Sequence, residues 1–113
     1  MHELSIALGI VKIAEKETAK AKAKKVTLIE LEIGTLAGIE FDSLEFAWPL
    51  AVKNTVLEEA EKKINIVEAK GKCLDCEITF DLKNIYDPCP NCNSFLKGLI
   101  QGKELSVKSL EVL

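Results

Sequence analysis

Apolar and polar positions alternate with two different periods along this chain, and the periods lay out the elements. Over residues 3–20, Leu4, Ala7, Leu8, Val11, Ala14 and Thr18 recur at three and four, the period of one helical face. Ile6, Ile10 and Ile13 add a second apolar stripe, so the first half of this predicted helix is apolar nearly all round. Such a helix is either sandwiched between a sheet and another layer or offers a face to a partner. After Glu17 the pattern gives way to alternating Lys and Ala, a solvated helix end.

Residues 26–33 switch to period two. Ile29, Leu31 and Ile33 share one face and Glu30 and Glu32 the other, which predicts a strand ended by Gly34. Asp42-Ser43-Leu44-Glu45 has the spacing of a capping box and predicts a second helix, with Phe41, Leu44, Trp48 and Ala51 pointing one way. Pro49 has no N–H for the Glu45 carbonyl, so a kink or break is expected there. One more helical turn is expected over Thr55–Glu61, then a strand over 64–69 and a last one over Leu105–Val112. The last alternation changes phase between Val107 and Leu110, which points to a bulge or two-sided burial.

Between the last two strands the periodicity stops. The stretch 71–97 is rich in turn formers, Asn84, Asp87, Pro88, Pro90, Asn91 and Asn93, and has too few large apolar residues for a core of its own. It carries all four cysteines, as Cys73-Leu74-Asp75-Cys76, twelve residues, then Cys89-Pro90-Asn91-Cys92. Each C-x-x-C turn brings two sulfurs within reach of one ion, and two such knuckles complete a tetrahedral tetrathiolate site, structural by default because no ligand position is left open. A segment this small needs such a staple. The expected fold is therefore α+β: a small mixed sheet packed with two helices (1–70 and 98–113), plus an inserted zinc-ribbon-like subdomain (71–97).

Composition narrows the function. The 113 residues are 48% hydrophobic and 29% charged, with a net charge of -3, and every one of the fifteen positive residues is lysine. Without arginine forks or a basic balance, the chain lacks the usual equipment for nucleic acid. The cysteine stretch itself is net acidic, with Lys72, Lys83 and Lys97 against Asp75, Glu77, Asp81 and Asp87, which counts against a nucleic-acid-binding ribbon. A rubredoxin-like electron carrier is the other alternative for paired knuckles. No apolar run is long enough for a membrane helix, and the N-terminus has no signal-peptide pattern, so a cytoplasmic protein is expected. No phosphate-binding loop is present, and the single histidine, His2, cannot join a catalytic triad, so no enzyme activity is expected.

A histidine next to the chain start is ordinarily a plain surface residue. Yet an α-amine, a backbone nitrogen and an imidazole nitrogen together form a chelating set of the kind that favours square-planar Ni(II) or Cu(II). A helix beginning near Glu3 would ease loss of the backbone protons through its positive end. Glu3 is either a helix-start carboxylate or part of that site.

Met1-His2-Glu3-Leu4-Ser5, the two cysteine knuckles, and Gly102-Lys103-Glu104-Leu105-Ser106-Val107-Lys108-Ser109-Leu110-Glu111-Val112 together resemble the HypA/HybF family of nickel-insertion proteins for hydrogenase maturation. The resemblance spans the whole chain in order. It implies Ni(II) on His2, aided by the Met1 amine and the backbone nitrogens of His2 and Glu3, and Zn(II) on Cys73, Cys76, Cys89 and Cys92. It implies delivery of nickel to the large subunit of [NiFe] hydrogenase alongside HypB, a nickel-binding GTPase. Two positions depart from the family pattern. Asn93 stands where glycine usually follows the last cysteine, and Asn tolerates left-handed backbone angles. Pro49 inside the second helix is the other.

Overall fold

A computed structural model describes residues 2–113 of the chain. Its elements run α1 (Glu3–Lys20), β1 (Val26–Gly34), α2 (Phe41–Val52), β2 (Glu61–Val67), β3 (Lys70–Cys73), β4 (Thr79–Asp81), β5 (Lys97–Gln101) and β6 (Leu105–Val112). They form two three-stranded sheets, ordered β2-β1-β6 and β4-β3-β5. The chain divides into two compact units. One comprises residues up to Leu31, Ile39–Asn65 and Ser106–Leu113; the other comprises Glu32–Gly38 and Ile66–Leu105. The cysteine-bearing unit thus draws on more chain than the 71–97 block.

In the first unit, α1 buries Ala7, Ile10, Val11, Ala14 and Thr18. This seam is narrower than the pattern suggested: Leu4 and Leu8 of the first stripe and Ile13 of the second are exposed, so only part of each stripe is used. β1, whose last residues from Glu32 belong to the second unit, follows its alternation, with Ile29, Leu31 and Ile33 fully buried and Glu30 and Glu32 half-buried on the other side. The Lys24 N–H donates to the Leu113 carbonyl at 2.8 Å and the Leu113 N–H to the Lys25 carbonyl at 2.9 Å. The start of β1 therefore meets the end of β6, and the two run antiparallel. β6 matches its expected bounds, and its two half-buried residues, Val107 and Leu110, are three apart and so fall on opposite faces, as the change of phase suggested.

α2 corrects two expectations. It begins at Phe41, with Glu40 as N-cap and no side-chain cap, so Asp42 lies in the first turn rather than heading a capping box. The Glu40 N–H is satisfied instead by the Glu3 carboxylate of α1, at 3.1 Å. A side chain from another helix thus does the reaching-back that the third helical residue does in a capping box. Pro49 does not end the helix, which continues to Val52. Trp48, Ala51 and Val52 are buried around it, and their packing outweighs the lost hydrogen bond. Trp48 also lies under the Lys62 ammonium, 4.9 Å from the ring centre. The helical turn expected over Thr55–Glu61 is a pair of tight turns, closed by Glu58 N–H to the Thr55 carbonyl and Ala60 N–H to that of Leu57, both 3.1 Å.

In the second unit β3 is central and pairs antiparallel with β4 (Gly71 opposite Phe80) and with β5 (Lys72 opposite Gly98). This unit has a small core that the 71–97 block does not build alone: Ala69, Cys73, Phe80, Leu82 and Cys89 cluster, with Leu36, Cys76, Ile78 and Leu99 packed against them. Two of those five buried residues are cysteines. The chain passes close to itself where a Cβ on Gly34 would fall 2.0 Å from the Gly102 carbonyl oxygen, which only glycine permits.

Candidate metal centre

Both knuckles are built from the same local hydrogen bonds. The Cys73 N–H reaches the Ile78 carbonyl at 2.9 Å and the Glu77 N–H returns to the Cys73 carbonyl at 2.9 Å. In the second knuckle the Cys89 N–H reaches the Ser94 carbonyl and the Asn93 N–H returns to the Cys89 carbonyl, both at 2.8 Å. This tight reversal needs one left-handed residue, supplied by Glu77 (φ 67°) and Asn93 (φ 62°). Asn93 thus does what glycine would do there, as its side chain allows. Nothing in the sequence pattern marked Glu77 for that conformation. Asp87 closes the loop between the knuckles, its carboxylate accepting the N–H groups of Lys83 (2.9 Å) and Asn84 (3.0 Å), which hold it below the usual carboxylate range.

The four cysteine sulfurs converge, all within 4.8 Å of one another. Cys73 Sγ lies 3.5 Å from Cys92 Sγ, and Cys76 Sγ lies 3.6 Å from Cys89 Sγ. A tetrahedron with metal–sulfur bonds of about 2.3 Å has edges of about 3.8 Å, so the donor set fits a tetrathiolate ion. Cys73 and Cys89 are buried, Cys76 is half-buried and Cys92 is exposed.

The electrostatics of the four sulfurs pull in opposite directions. The Cys76 thiol is held down to about 6, first by the Ile78 N–H and then by the Asn91 side-chain amide, which donates to its sulfur at 3.5 Å. Cys73 is also lowered, chiefly by the Cys76 N–H, 3.4 Å from its sulfur. At Cys92 the Ser94 N–H favours the thiolate, but crowding by Cys73, desolvation, and the Cys76 and Cys89 sulfurs outweigh it and push the thiol up to about 12. Four sulfurs this close cannot all carry charge unless a cation sits among them, which is the expected signature of a metal site.

At the other candidate site, Met1 lies outside the described residues. His2 is exposed and stands as the N-cap of α1, its backbone extended (φ -88°, ψ 94°) and its carbonyl accepting the Ile6 N–H at 3.1 Å. Glu3 occupies the first turn of α1, and the Glu40 N–H holds its carboxyl below the ordinary value. Glu3 is therefore more than a helix-start carboxylate: it ties the starts of α1 and α2 together. The sequence pattern missed Glu40, because 37 residues separate the pair.

No helix among the described residues is long and apolar enough to cross a membrane. Over residues 1–112 the chain matches the family described as "Hydrogenase/urease nickel incorporation, metallochaperone, hypA". The hydrogenase maturation factor HypA of Parabacteroides distasonis is 44% identical over 112 residues, 99% of this chain and 97% of that protein. That of Francisella philomiragia is 43% identical over 110 residues, 97% of each. The fold matches the solution structure of the Ni metallochaperone HypA from Helicobacter pylori with a TM-score of 0.70, at 25% identity, covering 100% of this chain and 98% of that one. Two helices with small mixed sheets are thus an architecture this chain shares with HypA structures, and its four-cysteine cluster suits a zinc-ribbon-like site. The chain belongs to the HypA family of hydrogenase nickel metallochaperones, maturation factors and not enzymes.

Proposed function

We propose that this chain takes up Ni(II) at its N-terminus and delivers it to the large subunit of [NiFe] hydrogenase, working in the cytoplasm with the GTPase HypB. The nickel ligands in this reading are the Met1 amine, the His2 imidazole and the backbone nitrogens of His2 and Glu3. The observation that carries it is the setting of His2, exposed and extended immediately before the first turn of α1. There the imidazole is open to solvent and the first helical N–H groups have no intrahelical partners. The positive end of α1 favours the deprotonated backbone nitrogens that nickel requires. Glu3, pinned by the Glu40 N–H, keeps this start in place.

In the same reading Cys73, Cys76, Cys89 and Cys92 hold a structural Zn(II). Bound zinc would fasten the two knuckles into one tetrahedron and relieve the repulsion among their thiolates.

Calorimetric titration of Ni(II) tests the nickel site. Residues added before Met1 turn the amine into an amide, and affinity is expected to fall about tenfold or more, close to 1.4 kcal/mol per factor of ten. His2→Ala is expected to abolish hydrogenase maturation in cells while zinc stays bound. Affinity should also fall with acidification, because every proposed ligand must lose a proton. Equal affinities with and without the extension would remove the amine from the ligand set, and full maturation in His2→Ala at limiting nickel would remove His2.

A further inference from the structure

The two knuckles repeat the same closing hydrogen bonds at matching positions, and differ in the Leu74 N–H, which Pro90 lacks, and in their side chains. Placing one knuckle on the other puts Asp75 where Asn91 stands. The Asn91 amide donates across to the first knuckle, with Nδ2 3.5 Å from Cys76 Sγ. Asp75 has no N–H to give, and its carboxylate accepts the Ser94 hydroxyl instead. Asp75 thus reaches the opposite knuckle at Ser94, and the strap onto a sulfur has no return counterpart at Cys92. Exposure follows the same asymmetry: strapped Cys76 is half-buried, and its counterpart Cys92 is exposed.

We propose that Asn91 is a positioning residue for the metal centre. It fastens Cys76 to the ion and leaves Cys92 as the ligand that detaches first when the metal exchanges. The inference rests on the reading of the four cysteines as a zinc site. A donor to a ligand atom restrains that ligand and draws charge from it, and loss of such a partner typically costs about 10–100-fold in metal affinity. Without the amide, Cys76 keeps its Ile78 N–H and its 3.6 Å approach to the Cys89 sulfur but loses the one amide that donates to it from the opposite knuckle among the described residues.

The test uses the full chain loaded with Zn(II), with Asn91→Ala and the isosteric Asn91→Asp, which keeps the shape but removes the N–H. Zinc transfer to a chromogenic chelator is expected to speed up about tenfold in both. The Co(II)-loaded forms should show the sulfur-to-cobalt charge-transfer band at lower energy than wild type, because an unstrapped thiolate donates more strongly. Limited alkylation of the zinc-loaded wild type, mapped by mass spectrometry, should mark Cys92 before Cys76, and in Asn91→Ala the two should react at similar rates. Wild-type transfer rates in either variant, or equal marking of Cys76 and Cys92 in the wild type, would overturn the proposal while leaving the zinc site standing. A wild-type chain that gives no tetrahedral tetrathiolate Co(II) spectrum would overturn both.

Discussion

The two units of this molecule solve the same problem with different materials. The first fully buries Val26, Ile29, Leu31, Leu44 and Leu57, ordinary aliphatic residues each contributing about 1.5–3 kcal/mol on burial. The second centres on Ala69, Cys73, Phe80, Leu82 and Cys89, where only Phe80 and Leu82 are large hydrocarbons. Its cysteines are part of the core and, on the proposed reading, metal ligands as well. A free thiol packs as a small hydrophobe, but four crowded thiolates repel. On the proposed reading the second unit therefore adds a shared cation to its small core, whereas the first depends on shape and area alone.

This contrast is open to direct attack. The largest effect is expected from Cys73→Ala. Cys73 is fully buried and a member of both the metal set and the small core. Structural zinc in comparable small domains is worth about 10–16 kcal/mol of folding energy. The variant should lose its zinc and the amide-exchange protection of 66–105, while helical circular dichroism and Trp48 fluorescence persist. One zinc per chain with an unchanged melting curve would end the distinction between the units. A smaller effect, about 2–5 kcal/mol, is expected from Leu44→Ala in the first unit. Trp48, the single tryptophan, should report an earlier unfolding transition, and zinc stoichiometry should not change. Zinc loss accompanying this variant would show that the units do not stand apart.

The smallest expected effect sharpens the role of Glu3. The Glu40 N–H lowers its carboxyl below the ordinary value, so the folded state prefers the ionised form. The contact therefore stabilises the fold above the unfolded-state value and is lost as pH falls through the folded one. Glu3→Gln should be less stable than wild type at neutral pH, and the difference should close between about pH 5 and 3. Denaturant unfolding followed by Trp48 fluorescence measures this. A difference that persists unchanged at acid pH would mean that the carboxylate charge is not what matters.

The sequence was most readable where one local period decides the element. The spacing of Ala7, Val11, Ala14 and Thr18 and the alternation from Ile29 to Ile33 translate directly into α1 and β1. The cysteine spacing foretold a converged tetrad, since each knuckle is closed by bonds within six residues. What failed depended on partners far along the chain. Asp42 and Glu45 have capping-box spacing, but Glu3 satisfies the helix start. Pro49 signals a kink or a break, and the break does not occur because its buried neighbours keep the last turn. Leu4 and Leu8 fit the apolar face of α1 by period, yet no packed layer covers them. The Asn91 strap joins side chains fifteen positions apart, and only the folded knuckles bring them together.

The order of the first sheet has a consequence for synthesis. β1 sits between β2 and β6, and the Thr27 hydroxyl bonds the carbonyl of Glu111, 84 residues later. A nascent chain therefore emerges with β1 open along one edge, and translation must pass through both cysteine knuckles before the strand that covers it is made. Contacts of such long range slow folding, and a bare edge invites pairing with other chains. On the proposed reading, both cysteine knuckles are complete on the ribosome while the unit that carries His2 still awaits its last strand.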